Sequence, residues 1–176
     1  HFKKVYYPPP KFRGRFGAVR VKTPIVDMCP IDVYMPPDRF SQAGNQYASD
    51  LWQYVEEFIE VLPQRCIPIL CGDFNGRVGK LQRIGGPALL TPNPNIGPAN
   101  PADESWHGER LRCLLQRQHL AAANTFTDCE PTFYNNQNFG TTRIDYVIST
   151  IPIVRNATNV TVWTKTGDAL QLANTH

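Results

Sequence analysis

The stretch Ile67-Pro68-Ile69-Leu70-Cys71-Gly72-Asp73-Phe74-Asn75 constrains the fold of this chain more than any other. Ile67, Ile69 and Leu70 form an apolar run of strand length, bounded by Pro63 before it and Gly76 after it. A run apolar at nearly every position predicts a strand covered on both faces. Gly72 lets the backbone turn at its end. Asp73 and Asn75 then project from the C-terminal edge of a sheet, where open α/β architectures place chemistry. A carboxylate there can accept a proton or help to hold a hard cation, and a neutral amide can donate to an anionic oxygen. The same spacing also suits an Asx-turn that caps the strand exit, since Asp and Asn are the usual turn residues. This stretch alone leaves both readings open.

The segments around it supply a sheet and its cover. Gly17 to Lys22 alternates as a strand, and Ile25 to Tyr34 reads as one or two more, stopped at Pro36-Pro37. Asn45 to Leu62 is the clearest helix: Leu51, Tyr54, Val55, Phe58, Ile59 and Leu62 form one apolar stripe, and Pro63 stands just past its end. Gly76 to Asp103 is rich in Gly, Pro and Asn without a period, which predicts a surface excursion beside a groove. Ser105 to Gln118 resumes a helical pattern with Ser105 as its cap. Leu120 to Phe126 reads as a strand. Pro131 to Tyr134 opens a hairpin with its tip at Asn135 to Thr142, and Arg143 to Ser149 reads as the return strand. Thr158 to Thr164 reads as a last strand.

Two charged features stand out. Asp145 shares a strand face with Val147, and a carboxylate so placed needs a partner. Either it pairs structurally, with Arg143 or a loop donor, or it orients a histidine. Lys11-Phe12-Arg13-Gly14-Arg15-Phe16 is either a solvated loop or a contact to phosphate backbone.

Composition narrows the class. With 176 residues, 41% hydrophobic and 19% charged, the chain reads as one folded domain. A net charge of +3 is compatible with a polyanionic partner and too small to argue for one. No run is long and apolar enough to span a bilayer, so no membrane is expected. The five cysteines show neither CxxC nor zinc-ligand spacing, which predicts reduced thiols and an intracellular, reducing compartment.

Three segments in order, Tyr34-Met35-Pro36, Gly72-Asp73-Phe74-Asn75 and Arg143-Ile144-Asp145-Tyr146, resemble the endonuclease/exonuclease/phosphatase superfamily. With His107-Gly108-Glu109-Arg110-Leu111 and Asn124-Thr125-Phe126 between them, they look most like the endonuclease domains of non-LTR retrotransposons and their craniofacial-development-protein-like relatives. The resemblance covers roughly residues 16 to 150. It implies a four-layered α/β sandwich, two mostly antiparallel sheets packed face to face with helices outside. It also implies a Mg²⁺- or Mn²⁺-dependent phosphodiesterase acting on DNA, and with that a nuclear location. On this likeness Asp73 prepares the attacking water or joins Asn75 in holding metal, Asn75 and Tyr34 hold the phosphate, and Asp145 fixes a histidine. Arg13, Arg15 and Arg143 are the expected nucleic-acid contacts.

The chain also departs from the pattern. The superfamily has an Asn and a metal-binding Glu on early strands, and neither residue type occurs before Tyr34. Its Ser-Asp-His is matched only by Asn174-Thr175-His176, where His176 is either the histidine of a divergent motif or a residue just before it. The expectation is a single partial domain over residues 1 to 176, lacking N-terminal strands. Two alternatives are a superfamily phosphatase on a non-DNA phosphoester and a catalytically inactive nucleic-acid-binding relic.

Overall fold

The computed structural model describes residues 2–37, 42–83, 86–90, 93–135 and 140–160. Six strands form the main sheet: β1 (Phe2–Tyr6), β2 (Phe16–Lys22), β3 (Asp27–Tyr34), β4 (Ile67–Asp73), β8 (Leu120–Ala122) and β11 (Asp145–Thr150). Their spatial order is β1-β2-β3-β4-β11-β8. The strands β3 and β4 run parallel and every other pair in this sheet is antiparallel. Parallel neighbours need a crossover, and the helix α1 (Gln42–Glu60) supplies it. That helix begins and ends slightly earlier than its apolar stripe predicts.

Alternation along the strands decides which face is covered. In β3, Cys29, Ile31 and Val33 are fully buried while Pro30, Asp32 and Tyr34 are exposed. The buried set meets Leu51, Val55 and Phe58 of α1 and Leu111, Leu114 and Leu115 of α2 (Trp106–Arg117) in one core. Ser105 caps α2 as its sequence predicts, accepting the Gly108 N–H at 3.2 Å. A buried Trp52 indole donates to His107 Nδ1 at 3.0 Å, so this histidine belongs to the core.

Several expectations change. The run at Ile67 to Cys71 is not buried on both faces: Leu70 is buried in the core and Cys71 on the other face is exposed. Gly72 does not turn the chain. It remains in β4 at φ +145, and a Cβ there would run into the Val33 carbonyl, so glycine is needed for close strand approach. The Gly76 to Asp103 excursion carries its own small sheet, β5 (Gly79–Arg83) between β6 (Gly86–Leu90) and β7 (Ala102–Asp103). The expected strand from Leu120 to Phe126 stops at Ala122 and continues as a 3₁₀ turn, Ala123–Thr125.

The hairpin also differs. Its two strands are β9 (Phe133–Asn135) and β10 (Gly140–Thr142), and β11 leaves it to pair with β4 and β8. Residues 151–155 form a short helix, α3 (Ile151–Arg155). Thr158 to Val160 carry no strand, and the rest of the expected last strand lies outside the described residues. Among the described residues no helix is long and apolar enough to cross a membrane.

Candidate active site

The strand ladder brings the motif residues together. In the parallel pair of β3 and β4, Tyr34 stands beside Asp73. In the antiparallel pair of β4 and β11, Asp73 stands directly opposite Asp145. All three alternate with core residues (Val33, Leu70, Tyr146), so all three lie on the face away from the helices. Tyr34 is 44% exposed, and both aspartates are half-buried. Directly opposed residues hold their Cβ atoms about 4.5–5.5 Å apart, and like charges so placed are destabilising.

The backbone around this row is tied down. Met35 N–H donates to the Asp73 carbonyl at 2.8 Å, and Phe74 N–H to the Ile144 carbonyl at 2.9 Å, which extends the ladder past the strand ends. The Asx-turn reading of Asp73 holds: its Oδ1 accepts the Asn75 N–H at 2.7 Å, with Asn75 at φ +47. The turn leaves the other carboxylate oxygen without a hydrogen bond among the described residues. The Asn75 Nδ2 donates to the Met35 carbonyl at 2.8 Å, and its side-chain carbonyl and second N–H have no hydrogen bond among the described residues.

Burial pushes the Asp73 carboxyl above its ordinary range. The Asp145 charge adds to that shift, while the Asn75 N–H and the Arg15 charge oppose it. The Asp145 carboxylate has no hydrogen-bond partner among the described residues. Its main chain is held on both sides: Thr132 Oγ1 accepts the Ile144 and Asp145 N–H groups, each at 3.1 Å, and the Asn124 amide donates to the Asp145 carbonyl at 2.9 Å. The sequence puts Asn124 in the strand expected from Leu120 to Phe126 and Thr132 at the start of the hairpin, with no tie to Asp145. Only the fold brings them to this strand. The buried Tyr146 hydroxyl lies 2.9 Å from the Gly76 carbonyl and 3.1 Å from the Arg143 carbonyl, pinning the loop after Asn75 to the foot of β11.

The three arginines fare differently. Arg13 is exposed beside Gly14, which turns the chain at φ +74. Arg15 sits over the Tyr34 ring, 4.2 Å from its centroid. Arg143 is buried, and its guanidinium donates to the carbonyls of Ala99 and Cys129 at 3.2 and 3.0 Å. It is buried on these carbonyls and does not pair with Asp145, so its expected nucleic-acid contact is corrected to a structural tie. His176 lies outside the described residues.

A hard divalent cation suits the two carboxylates, because it would relieve their repulsion. Mg²⁺ is commonly held by one or two carboxylates with substrate phosphates and water completing its shell. Among the described residues no group of three or more His, Cys, Asp or Glu side chains gathers as a metal cluster. Asp73, Asp145 and the Asn75 side-chain carbonyl are the oxygen donors that such an ion could use here.

The sequence matches no protein-family model and no curated protein. Solved structures do match. The endonuclease domain of TRAS1, a telomere-specific non-LTR retrotransposon, aligns with a TM-score of 0.51 at 16% identity over 84% of this chain. An AP endonuclease from Archaeoglobus fulgidus aligns with a TM-score of 0.57 at 14% identity over 88% of it. The chain spans 54% of the first structure and 61% of the second. It thus has the α/β fold of these two endonucleases, the endonuclease/exonuclease/phosphatase fold that its motifs resemble.

Proposed function

We propose that this chain belongs to a metal-dependent phosphodiesterase that cleaves DNA with an activated water. The observation that carries this reading is the row of Tyr34, Asp73 and Asp145 on adjacent strands, all on the face away from the helices. Two solved endonucleases with this fold support a nucleic-acid phosphodiester as the substrate class.

Placement supports a role for each residue. Asp73, with its carboxyl raised and one oxygen unused, is the group best suited to take a proton from water or to hold metal. Asp145, opposite it, supplies the second carboxylate. The exposed Tyr34 phenol can donate to a phosphoryl oxygen, as can the remaining Asn75 N–H. Mg²⁺ or Mn²⁺ held by Asp73, Asp145 and Asn75 would offset charge growing on the phosphoryl oxygens.

The test is conversion of supercoiled plasmid to open circles with and without Mg²⁺, alongside hydrolysis of a small phosphomonoester. Metal-dependent nicking with no monoester hydrolysis supports the proposal. Monoester hydrolysis without nicking would replace it with a phosphatase.

A further inference from the structure

The loop that follows Asn75 is fixed residue by residue. The Asn75 N–H is held by Asp73, and the Gly76 carbonyl lies 2.9 Å from the Tyr146 hydroxyl at the foot of β11. Arg77 N–H donates to Ser105 Oγ at 3.0 Å, and the Arg77 carbonyl accepts the Ser105 N–H at 3.1 Å. Ala102 N–H then donates to the Val78 carbonyl at 3.0 Å. Gly108, in the first turn of α2, sits so close that a Cβ there would collide with the Arg77 carbonyl. Gly76 and Val78, on either side of Arg77, are buried.

The Arg77 side chain departs from this pattern. It is exposed, and its guanidinium has no hydrogen bond or ion pair among the described residues. Glu104, the acid next to Ser105, is committed to Arg112 at 2.9 and 3.3 Å. Arg20 and Arg65 are likewise committed to Asp27, and Arg117 to Glu56. A cation fixed at its base and unpaired at its tip can meet an anion from outside with little further loss of backbone entropy.

Position narrows the anion. Asn75 and Arg77 are two residues apart, so their Cα atoms lie within about 7 Å of each other. Successive phosphates of one duplex strand advance about 3.4 Å along the helix axis. A phosphate held at Asp73 and Asn75 would therefore have close neighbours within reach of Arg77. The tie to Tyr146 puts this loop on the β11 flank of the row.

We propose that Arg77 binds a backbone phosphate of DNA beside the scissile one, on the β11 flank of the row. This rests on the function proposed above and adds the direction in which the strand leaves the site. A phosphate contact carries no base information, so it would serve any sequence alike.

The contact can be read without turnover. A short DNA duplex is titrated with the protein in EDTA, followed by fluorescence anisotropy, over a range of salt concentrations. Arg155→Gln is the control for net charge. Arg155 is also exposed, but it stands in α3, at the opposite end of β11 from Asp145. Arg77→Gln should weaken binding about three- to tenfold and lower the salt slope by about one, alike for duplexes of different sequence. Arg77→Glu should weaken it further. Arg77→Lys keeps a point charge and should stay close to wild type. Arg155→Gln should change neither affinity nor slope. The Arg77 variants should melt with the wild type, because the side chain has no partner to lose.

Unchanged affinity and slope in Arg77→Gln and Arg77→Glu would overturn the contact. So would equal losses in Arg155→Gln, lower melting of the Arg77 variants, or no duplex binding by the wild type. In plasmid nicking, Arg77→Gln should raise KM and leave kcat unchanged. Binding that depends on Arg77 in a protein that cleaves no diester would leave the contact standing and remove the proposed function. Nicking by Arg77→Gln with unchanged KM would remove the contact and leave the function.

Discussion

Asp73 and Asp145 face each other because β4 and β11 run antiparallel with these two residues in register. Their opposition is a cost, and the raised Asp73 carboxyl reflects part of it. Such a group favours folding fully below the ordinary aspartate pKa of about 3.9. That contribution is lost as pH rises through its higher folded value. Asp73→Asn keeps an oxygen for the Asn75 N–H and removes the charge, so at pH 7 it should melt no lower than the wild type while losing nicking. A lower melting temperature would contradict the repulsion. Asp145→Ala should reduce kcat by about 10²–10³, on the scale of a lost preorganised charge-stabilising group. An unchanged rate in a kinetic assay would make Asp145 purely structural. Thr132→Val strands two N–H groups at the foot of β11 and should cost about 1–3 kcal/mol in a denaturant melt. The motifs single out Asp73, Asn75, Tyr34 and Asp145 as candidates, and the fold sets Tyr34, Asp73 and Asp145 in one row. The contacts of Thr132 and Asn124 are not legible in the sequence, because each reaches a strand that sequence spacing does not pair with it.

At the scale of elements, periodicity identified α1 and α2, and Ser105 was visible as a cap. The hairpin was misjudged because β10 and β11 are separated only by Arg143 and Ile144. Arg143 ends the hairpin strand by turning inward onto two carbonyls, and the chain then enters a different sheet. The apolar run of β4 suggested two covered faces, yet hydrophobicity cannot say which face the described helices cover. Gly72 is the element's most demanding position. Gly72→Ala would combine a strained φ with a collision at the Val33 carbonyl. Strain alone costs about 1–3 kcal/mol. For a chain of this size we expect a melting temperature at least about 5 °C lower. A variant melting with the wild type would show that β3 and β4 can separate at no cost.

Over the whole molecule, one face of the sheet is filled by helices and the other carries the row of Tyr34, Asp73 and Asp145 with exposed apolar neighbours such as Val5, Tyr7 and Val147. The sheet is braced at the far ends of β2 and β3 by Asp27, which accepts from Arg20 at 2.6 and 2.8 Å and from Arg65 at 3.0 Å. The Arg20 hydrogen bonds, with help from Arg65, hold the Asp27 carboxyl well below the usual carboxylate range. This stabilisation is complete above about pH 3.9 and is lost as pH falls towards the folded value. Asp27→Asn should melt lower than wild type at pH 7, and the gap should narrow as the solution is acidified below pH ~4. A gap independent of pH would show that the ion pair is not the brace. The central claim is that the aligned strand ends hydrolyse a phosphodiester. Its most direct test is nicking of supercoiled plasmid by this chain with Mg²⁺ or EDTA, for the wild type and Asp73→Asn. The account predicts Mg²⁺-dependent open circles from the wild type and none from the folded variant. Equal nicking by both, or none by the folded wild type, would contradict it.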